Sequence, residues 1–335
     1  MRRLHRPAVV LPTLVGEGKG AKKAEEHQRE RAGDPAKELE FPEHWNEADV
    51  RGALYAMHGW VCAYCQRELP DNDRGDVEHF RPKRGDKGAS HHGYWWLAYV
   101  FGNYLLSCRT CNTNIKRNRF PIASGTAHIT YADRADVDKE ARLLLDPVND
   151  PVEEWLKVDC MDDLCSVREL DACGRDPVGH ARAVETIRFF RWNVTRTLIR
   201  ARIRERDRAQ ELYREGKTNP RKLDELRRRA SRYRPQGVTV RAFLELFAPE
   251  VALPSREEEI RWLLEEIDEL LHLDAQCLER DLDDETCERQ VRELWWALAV
   301  LWKAPPPGGD SILIEQWLQS RGWKSSVEPL LLELS

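Results

Sequence analysis

The spacing of apolar residues along the chain changes character twice. Residues 1–40 are polar and rich in Gly, Lys and Glu, with no apolar period, which predicts an extended or poorly ordered arm anchored by the apolar residues 9–14. Asn46 reads as a helix N-cap with Asp49 three residues on. Val50, Leu54 and Met57 form an apolar stripe and Gly59 a stop. Beyond Gly59 the segments are short. Residues 76–80 read as a strand, 81–93 as a polar loop and 94–101 as an aromatic run, and residues 112–118 have helical character up to Phe120-Pro121. Residues 155–159 and 164–168, either side of Met161-Asp162-Asp163, read as a β-hairpin. From Asp176-Pro177, an N-cap and first-turn pair, the period becomes helical. Val184, Ile187, Val194 and Leu198 predict a helix running toward Gly216, and Asn219-Pro220 starts another. Ser255 and Glu258 form a capping box ahead of Ile260, Leu263, Ile267 and Leu271. Residues 295–302 make a buried helix ending before Pro305, and 312–319 a last one closed by Gly322. The expected architecture is α+β: an arm over 1–45, a mixed segment over 46–175 and a helical segment over 176–335, without internal repeats.

Composition narrows the class. At roughly 150 residues per domain, 335 residues suggest two domains, and 41% hydrophobic with 33% charged residues excludes fibrous and disordered chains. No run of about 18 apolar residues exists, so no membrane span is expected. The basic start is followed by an apolar stretch that Pro12 breaks, with no small-residue cleavage site, so a secretory signal is not expected and the cytoplasm is. The net charge of −5 argues against a generic nucleic-acid coat protein, but charge is unevenly distributed. Residues 196–234 hold 15 Lys/Arg against 6 Asp/Glu, and residues 249–335 hold 8 against 20. Such blocks are either two surfaces with different partners or solvated helix faces.

Cysteine spacing carries the first chemistry. Nine cysteines in a reducing compartment do not imply disulfides. Cys62-x-x-Cys65 and Cys108-x-x-Cys111 are two pairs separated by 42 residues, the arrangement that closes a tetrahedral four-thiolate zinc site. Such a site has no open position and is structural. The irregular spacing of Cys160, Cys165 and Cys173 argues against a second site, and the His91-His92 pair sits in a polar loop. Between the knuckles lies Glu78-His79, and Asn112 follows Cys111 directly. Adjacent residues on a strand alternate in direction, so one can bind a metal while the other faces a water. Asn112 is tethered to a cysteine that zinc would fix.

Val77-Glu78-His79-Phe80, Asn103, and Cys111-Asn112 followed by Lys116 resemble the zinc-stapled HNH endonucleases of the ββα-metal group, over about residues 53–121. The resemblance implies an N-terminal ββα-metal nuclease domain followed by a mostly helical, partner-binding domain. Glu78 stands where Asp is more frequent. The implied mechanism is phosphodiester hydrolysis with one Mg²⁺ or Mn²⁺. His79 acts as general base, Glu78 and Asn112 hold the metal, and Asn103 pins a loop through backbone hydrogen bonds. Arg81, Lys83 and Lys116 meet phosphates. Residues 77–83, Trp96-Leu97-Ala98-Tyr99, 107–112 and 143–147 are similar to a narrower group, the HNH proteins that accompany ABC-type ATPases in retron and Septu anti-phage systems. That similarity implies a nucleic-acid substrate, DNA favoured over RNA, and an ABC-type ATPase partner for the helical half.

Two other readings compete. A zinc-ribbon module could hold nucleic acid or protein without cutting, although such a ribbon has no need of Glu78, His79 or Asn112. An HNH enzyme could instead cut RNA such as tRNA, because the phosphodiester is the common target.

Overall fold

The computed structural model describes residues 1–69, 74–86, 91–170, 176–279, 284–307 and 309–334, excluding the side chains of 274–279 and 284–287. The helices are α1 (Lys19–Gly33), α2 (Ala48–His58), α3 (Val152–Trp155), α4 (Pro177–Phe189), α5 (Arg196–Gly216), α6 (Pro220–Arg229), α7 (Gly237–Phe247), α8 (Arg256–Glu279), α9 (Asp284–Lys303), α10 (Ser311–Ser320) and α11 (Lys324–Glu333). The strands are β1 (Asp76–His79), β2 (Tyr104–Ser107), β3 (Leu156–Asp159) and β4 (Ser166–Glu169). The protein is thus mixed α and β, mostly helical, with β1 paired to β2 and β3 to β4. Among the described residues no helix is long and apolar enough to cross a membrane. The chain forms two compact units. One comprises Met1–Leu4, Trp60–Tyr94 and Leu106–Ser255; the other comprises His5–Gly59, Trp95–Leu105 and Arg256–Ser335.

The first unit contains both cysteine pairs. Gly75 opens β1 with a φ of +70°, and a Cβ there would lie 2.8 Å from Leu69 and 3.2 Å from the Ser107 carbonyl oxygen, so only glycine fits comfortably. The β3–β4 hairpin is antiparallel with Asp159 opposite Ser166, as its alternating pattern predicts. Asp176 caps α4 by accepting from the Gly179 amide at 2.9 Å. The single helix expected from Pro177 toward Gly216 is two helices. Arg191 takes a left-handed φ of +56°, and the chain turns between α4 and α5. Val184 and Val194, which sustain the apparent period, are solvent-exposed. The turn is held instead by Phe190, which stacks on Tyr64 at 4.3 Å and on Trp192 at 5.9 Å.

In the second unit α2 packs against α9, and Gly52 makes this possible because a Cβ there would lie 2.4 Å from the Trp296 Cβ. Arg51 pairs with Glu293 at 3.4 Å, both buried. Gly59 ends α2 with a φ of +58°, as expected from sequence. Asp49 lies in the first turn of the helix, as expected, and accepts from the amide and hydroxyl of Thr13 at 2.8 and 2.7 Å, but the cap position is Glu47 rather than Asn46. The expected extended arm contains α1. That helix lacks an apolar stripe and is held by buried His27, whose ring packs on Phe41 at 4.9 Å and on Tyr99 at 5.8 Å.

Candidate functional site

The four cysteines Cys62, Cys65, Cys108 and Cys111 converge in the first unit, buried, with their sulfurs all within 4.8 Å of one another. Each pair sits in a tight turn. The Gln66 amide donates to the Cys62 carbonyl and the Cys62 amide to the Arg67 carbonyl, while the Asn112 amide donates to the Cys108 carbonyl. The Ala63 amide donates to the Leu106 carbonyl at 2.9 Å, joining one knuckle to the strand that carries the other. Burial pushes the Cys62 thiol up, but hydrogen bonds from the other three sulfurs outweigh it and leave it well below the usual thiol range. Cys65 and Cys111 are pushed well up, first by contact with Cys108. A divalent ion that accepts four thiolates, as zinc does, fits the donor set, its geometry and its burial. No other group of three Cys, His, Asp or Glu donors converges in this way among the described residues.

Beside the cluster, β1 presents Asp76 and Glu78, two positions apart and so on one face of the strand. Glu78 is buried. Its Oε1 lies 2.6 Å from the Lys116 Nζ and accepts from the Tyr64 hydroxyl at 3.3 Å. The same Lys116 ammonium donates to the His79 carbonyl oxygen at 3.0 Å. Burial raises the Glu78 carboxyl, and Lys116, Tyr64 and the charge of Lys83 offset only part of that rise. Burial, then the Glu78 charge, pushes the Tyr64 hydroxyl well up, so Tyr64 stays a donor. Asn112 Nδ2 donates to Asp76 Oδ2 at 2.9 Å, and the Thr113 hydroxyl to the same oxygen at 3.4 Å. Asn112 is the third residue of a π-helical segment, Thr110–Lys116, whose wide turn brings Lys116 beneath β1. Sequence reasoning did not single out Asp76 or Tyr64. The alternation of acidic residues on one strand face was the available signal for Asp76; Tyr64, inside the first cysteine pair, offered none.

Glu78, His79, Asn112, Lys83 and Lys116 all fall in this unit, and Asn103 in the other, where its side chain donates to the Leu97 carbonyl at 3.3 Å. Lys116 and Arg81 are buried and ion-paired. Arg81 Nε lies 3.1 Å from Glu140 Oε2, and its guanidinium also donates to the Val137 carbonyl at 2.7 Å. Lys83 is half-buried. His91 packs tilted on His128 at 4.5 Å rather than pairing with His92 as a ligand set. Cys160 and Cys165 are buried in the β3–β4 hairpin, and Cys173 lies outside the described residues.

The Lys116–Glu78 pair makes a direct prediction. Lys116→Met should destabilise the protein by about 3–5 kcal/mol at neutral pH, the usual cost of orphaning a buried charge. The Glu78 carboxyl is already raised and would rise further. The cost exists only while Glu78 is ionised, so it should shrink as pH falls through that raised value. Denaturant unfolding at pH 7.5 and pH 5 measures it, and an equal loss at both would show that Glu78 does not carry the effect.

Four buried cysteines that could hold one metal ion, beside a buried Glu-His strand end, define a mostly helical mixed α and β protein with a candidate structural metal site. The chain is similar to the Septu protein PtuB of Bacillus mycoides (strain KBAB4), with 33% identity over 127 residues, covering 36% of this chain and 42% of that relative. The match therefore spans less than half of the relative's length. No protein-family model matches the chain, and no solved structure does.

Proposed function

We propose that this chain is a metal-dependent HNH endonuclease acting in anti-phage defence beside an ABC-type ATPase. One observation carries the reading: a single buried lysine, Lys116, grips both the Glu78 carboxylate and the His79 backbone next to the four-cysteine cluster. Buried ion pairs such as Arg81–Glu140 also serve structure, but this one is set at the strand end that carries the Glu-His pair, where the nuclease reading needs a positioned carboxylate. The resemblance to HNH proteins of the retron and Septu systems and the similarity to a Septu protein support the biological role. The acidic segment 249–335 is the surface proposed to meet the ATPase.

The oxygen donors fit Mg²⁺ or Mn²⁺, which take one or two carboxylates and leave positions for waters and phosphate. Glu78, through the oxygen not held by Lys116, and the Asn112 amide oxygen would hold the ion, which supplies charge stabilisation at the phosphate. Asp76 fixes the Asn112 amide through its nitrogen and so orients its oxygen. His79 removes the proton from the attacking water. Lys116 favours the ionised form of Glu78 against the burial that raises it, and holds the backbone of the base in register with it.

Incubating the zinc-loaded protein, with its ATPase partner present, with plasmid and with total tRNA, with and without Mg²⁺, tests the proposal. Mg²⁺-dependent cleavage of plasmid is the expected result. Cleavage confined to tRNA would make the enzyme an RNA nuclease, and binding without cleavage of either would favour the zinc-ribbon module.

A further inference from the structure

The nuclease reading requires cations that can reach a phosphate backbone, yet Arg81 and Lys116 are buried against Glu140 and Glu78. The basic block on α5 and α6 divides into two kinds of arginine. Most are engaged internally. Buried Arg202 donates to the Cys165 carbonyl at 2.6 Å and to the Trp192 carbonyl at 2.9 Å. Arg206 pairs with Asp207, Arg208 with Glu211 and Glu225, and Arg229 with Glu205. Arg191, in the turn before α5, and Arg196, Arg200 and Arg204 on it are different, as are Arg214 and Arg221 further along. All six are exposed, and their side chains have no ion-pair or hydrogen-bond partner among the described residues. Arg196, Arg200 and Arg204 stand four residues apart on one helix face, their charges about 6 Å apart along the axis. The row ends where Asp207, Glu211 and Glu215 take over the same face around Arg214, so the patch belongs to the first half of α5.

The start of α5 and the end of α4 that leads into it are each fastened to the segment carrying the candidate site. Arg67, two residues after Cys65, donates to the Thr197 hydroxyl at 3.3 Å. Arg119, three residues after Lys116, lies over the Phe189 ring at 4.7 Å. The neighbouring Phe190 stacks on Tyr64, which in turn donates to Glu78. We infer that the Arg191–Arg196–Arg200–Arg204 stripe is the phosphate-backbone contact of a nucleic-acid substrate, with its register to Glu78 and His79 fixed by the Tyr64–Phe190 stack. The inference rests on the nuclease reading. It assigns the anchoring contact to a helix outside the HNH segment and commits to phosphate rather than to an acidic protein. A backbone contact of this kind gives affinity without sequence preference.

The test is fluorescence anisotropy of the full chain with a labelled 30-base-pair DNA duplex and with a labelled tRNA, without added Mg²⁺, over a salt series. The variant carrying R196A, R200A and R204A should bind at least about tenfold more weakly at 100 mM salt. Its slope of log affinity against log salt should be shallower by about 2–3, roughly one unit per lost phosphate contact. Its zinc content and circular dichroism should match the parent, because all three residues are exposed. A control carrying R214A, K217A and R221A removes the same charge from the far end of α5 and the start of α6, and should bind within twofold of the parent. Parent-like affinity and slope in the stripe variant would overturn the inference, as would an equal loss in the control. Loss of ATPase binding in the stripe variant with unchanged nucleic-acid affinity would also overturn it, marking a protein surface. The nuclease reading fails separately, through absence of cleavage by the parent with Mg²⁺ and partner. The DNA and tRNA arms identify which backbone the stripe prefers.

Discussion

Cys108→Ser should yield protein with no tightly bound zinc and an unfolded or molten first unit, whereas the parent should carry about one zinc per chain. All four sulfurs lie within 4.8 Å of one another and are buried, so each contributes to one closed site. Structural zinc in such sites is worth about 10–16 kcal/mol of folding free energy at neutral pH. The sheet beside the knuckles is small, because β1 and β2 are four residues each, and the first knuckle is otherwise held by Gln236, which donates to the Cys65 and Gln66 carbonyls, and by the Tyr64–Phe190 stack. Loss of the ion should therefore release β1 together with Glu78 and His79. Cys160 is buried too, but its sulfur donates to the Thr239 carbonyl at 3.5 Å and it lies outside the cluster. Cys160→Ser should leave zinc content unchanged. Elemental analysis of the parent and both variants decides this, and soluble, active Cys108→Ser protein without zinc would remove the staple from the account.

The features legible in the sequence were those fixed by local chemistry. The two cysteine pairs, the strand at Glu78-His79, the hairpin around Met161, the Asp176 cap and the Gly59 stop each follow from a spacing or a backbone requirement that neighbouring residues state. What was hidden depended on partners distant in the chain. Helix α1 reads as an arm because it has no apolar stripe, and only the rings of Phe41 and Tyr99 around His27 explain its place. The turn between α4 and α5 is invisible because a left-handed arginine, not a glycine, makes it, while exposed Val184 and Val194 sustain a false period. Lys116 was read as a phosphate contact because lysines are usually exposed. Its burial depends on Glu78, 38 positions earlier in the chain. The role of Asp76 followed only once the π-helical turn had carried Asn112 onto its strand face.

His79→Ala should retain zinc, fold and bind nucleic acid while cleavage falls by roughly 10²- to 10⁴-fold, the usual worth of a positioned acid–base group. His79 is no part of the sulfur cluster, and the backbone carbonyl that Lys116 grips survives the substitution. Glu78→Ala and Asn112→Ala act on the proposed divalent site instead, so part of their lost activity should return at high Mg²⁺ or with Mn²⁺. High metal should not rescue His79→Ala, because the missing function is proton removal rather than ion binding. Glu78→Ala also orphans the Lys116 ammonium, so its unfolding midpoint must be recorded beside its rate. The most direct measurement is single-turnover cleavage by parent and His79→Ala at matched zinc content across a Mg²⁺ and Mn²⁺ series. The account predicts a deficit of at least 10²-fold that no metal concentration repairs. Equal rates would contradict it and leave the four cysteines as the staple of a binding module.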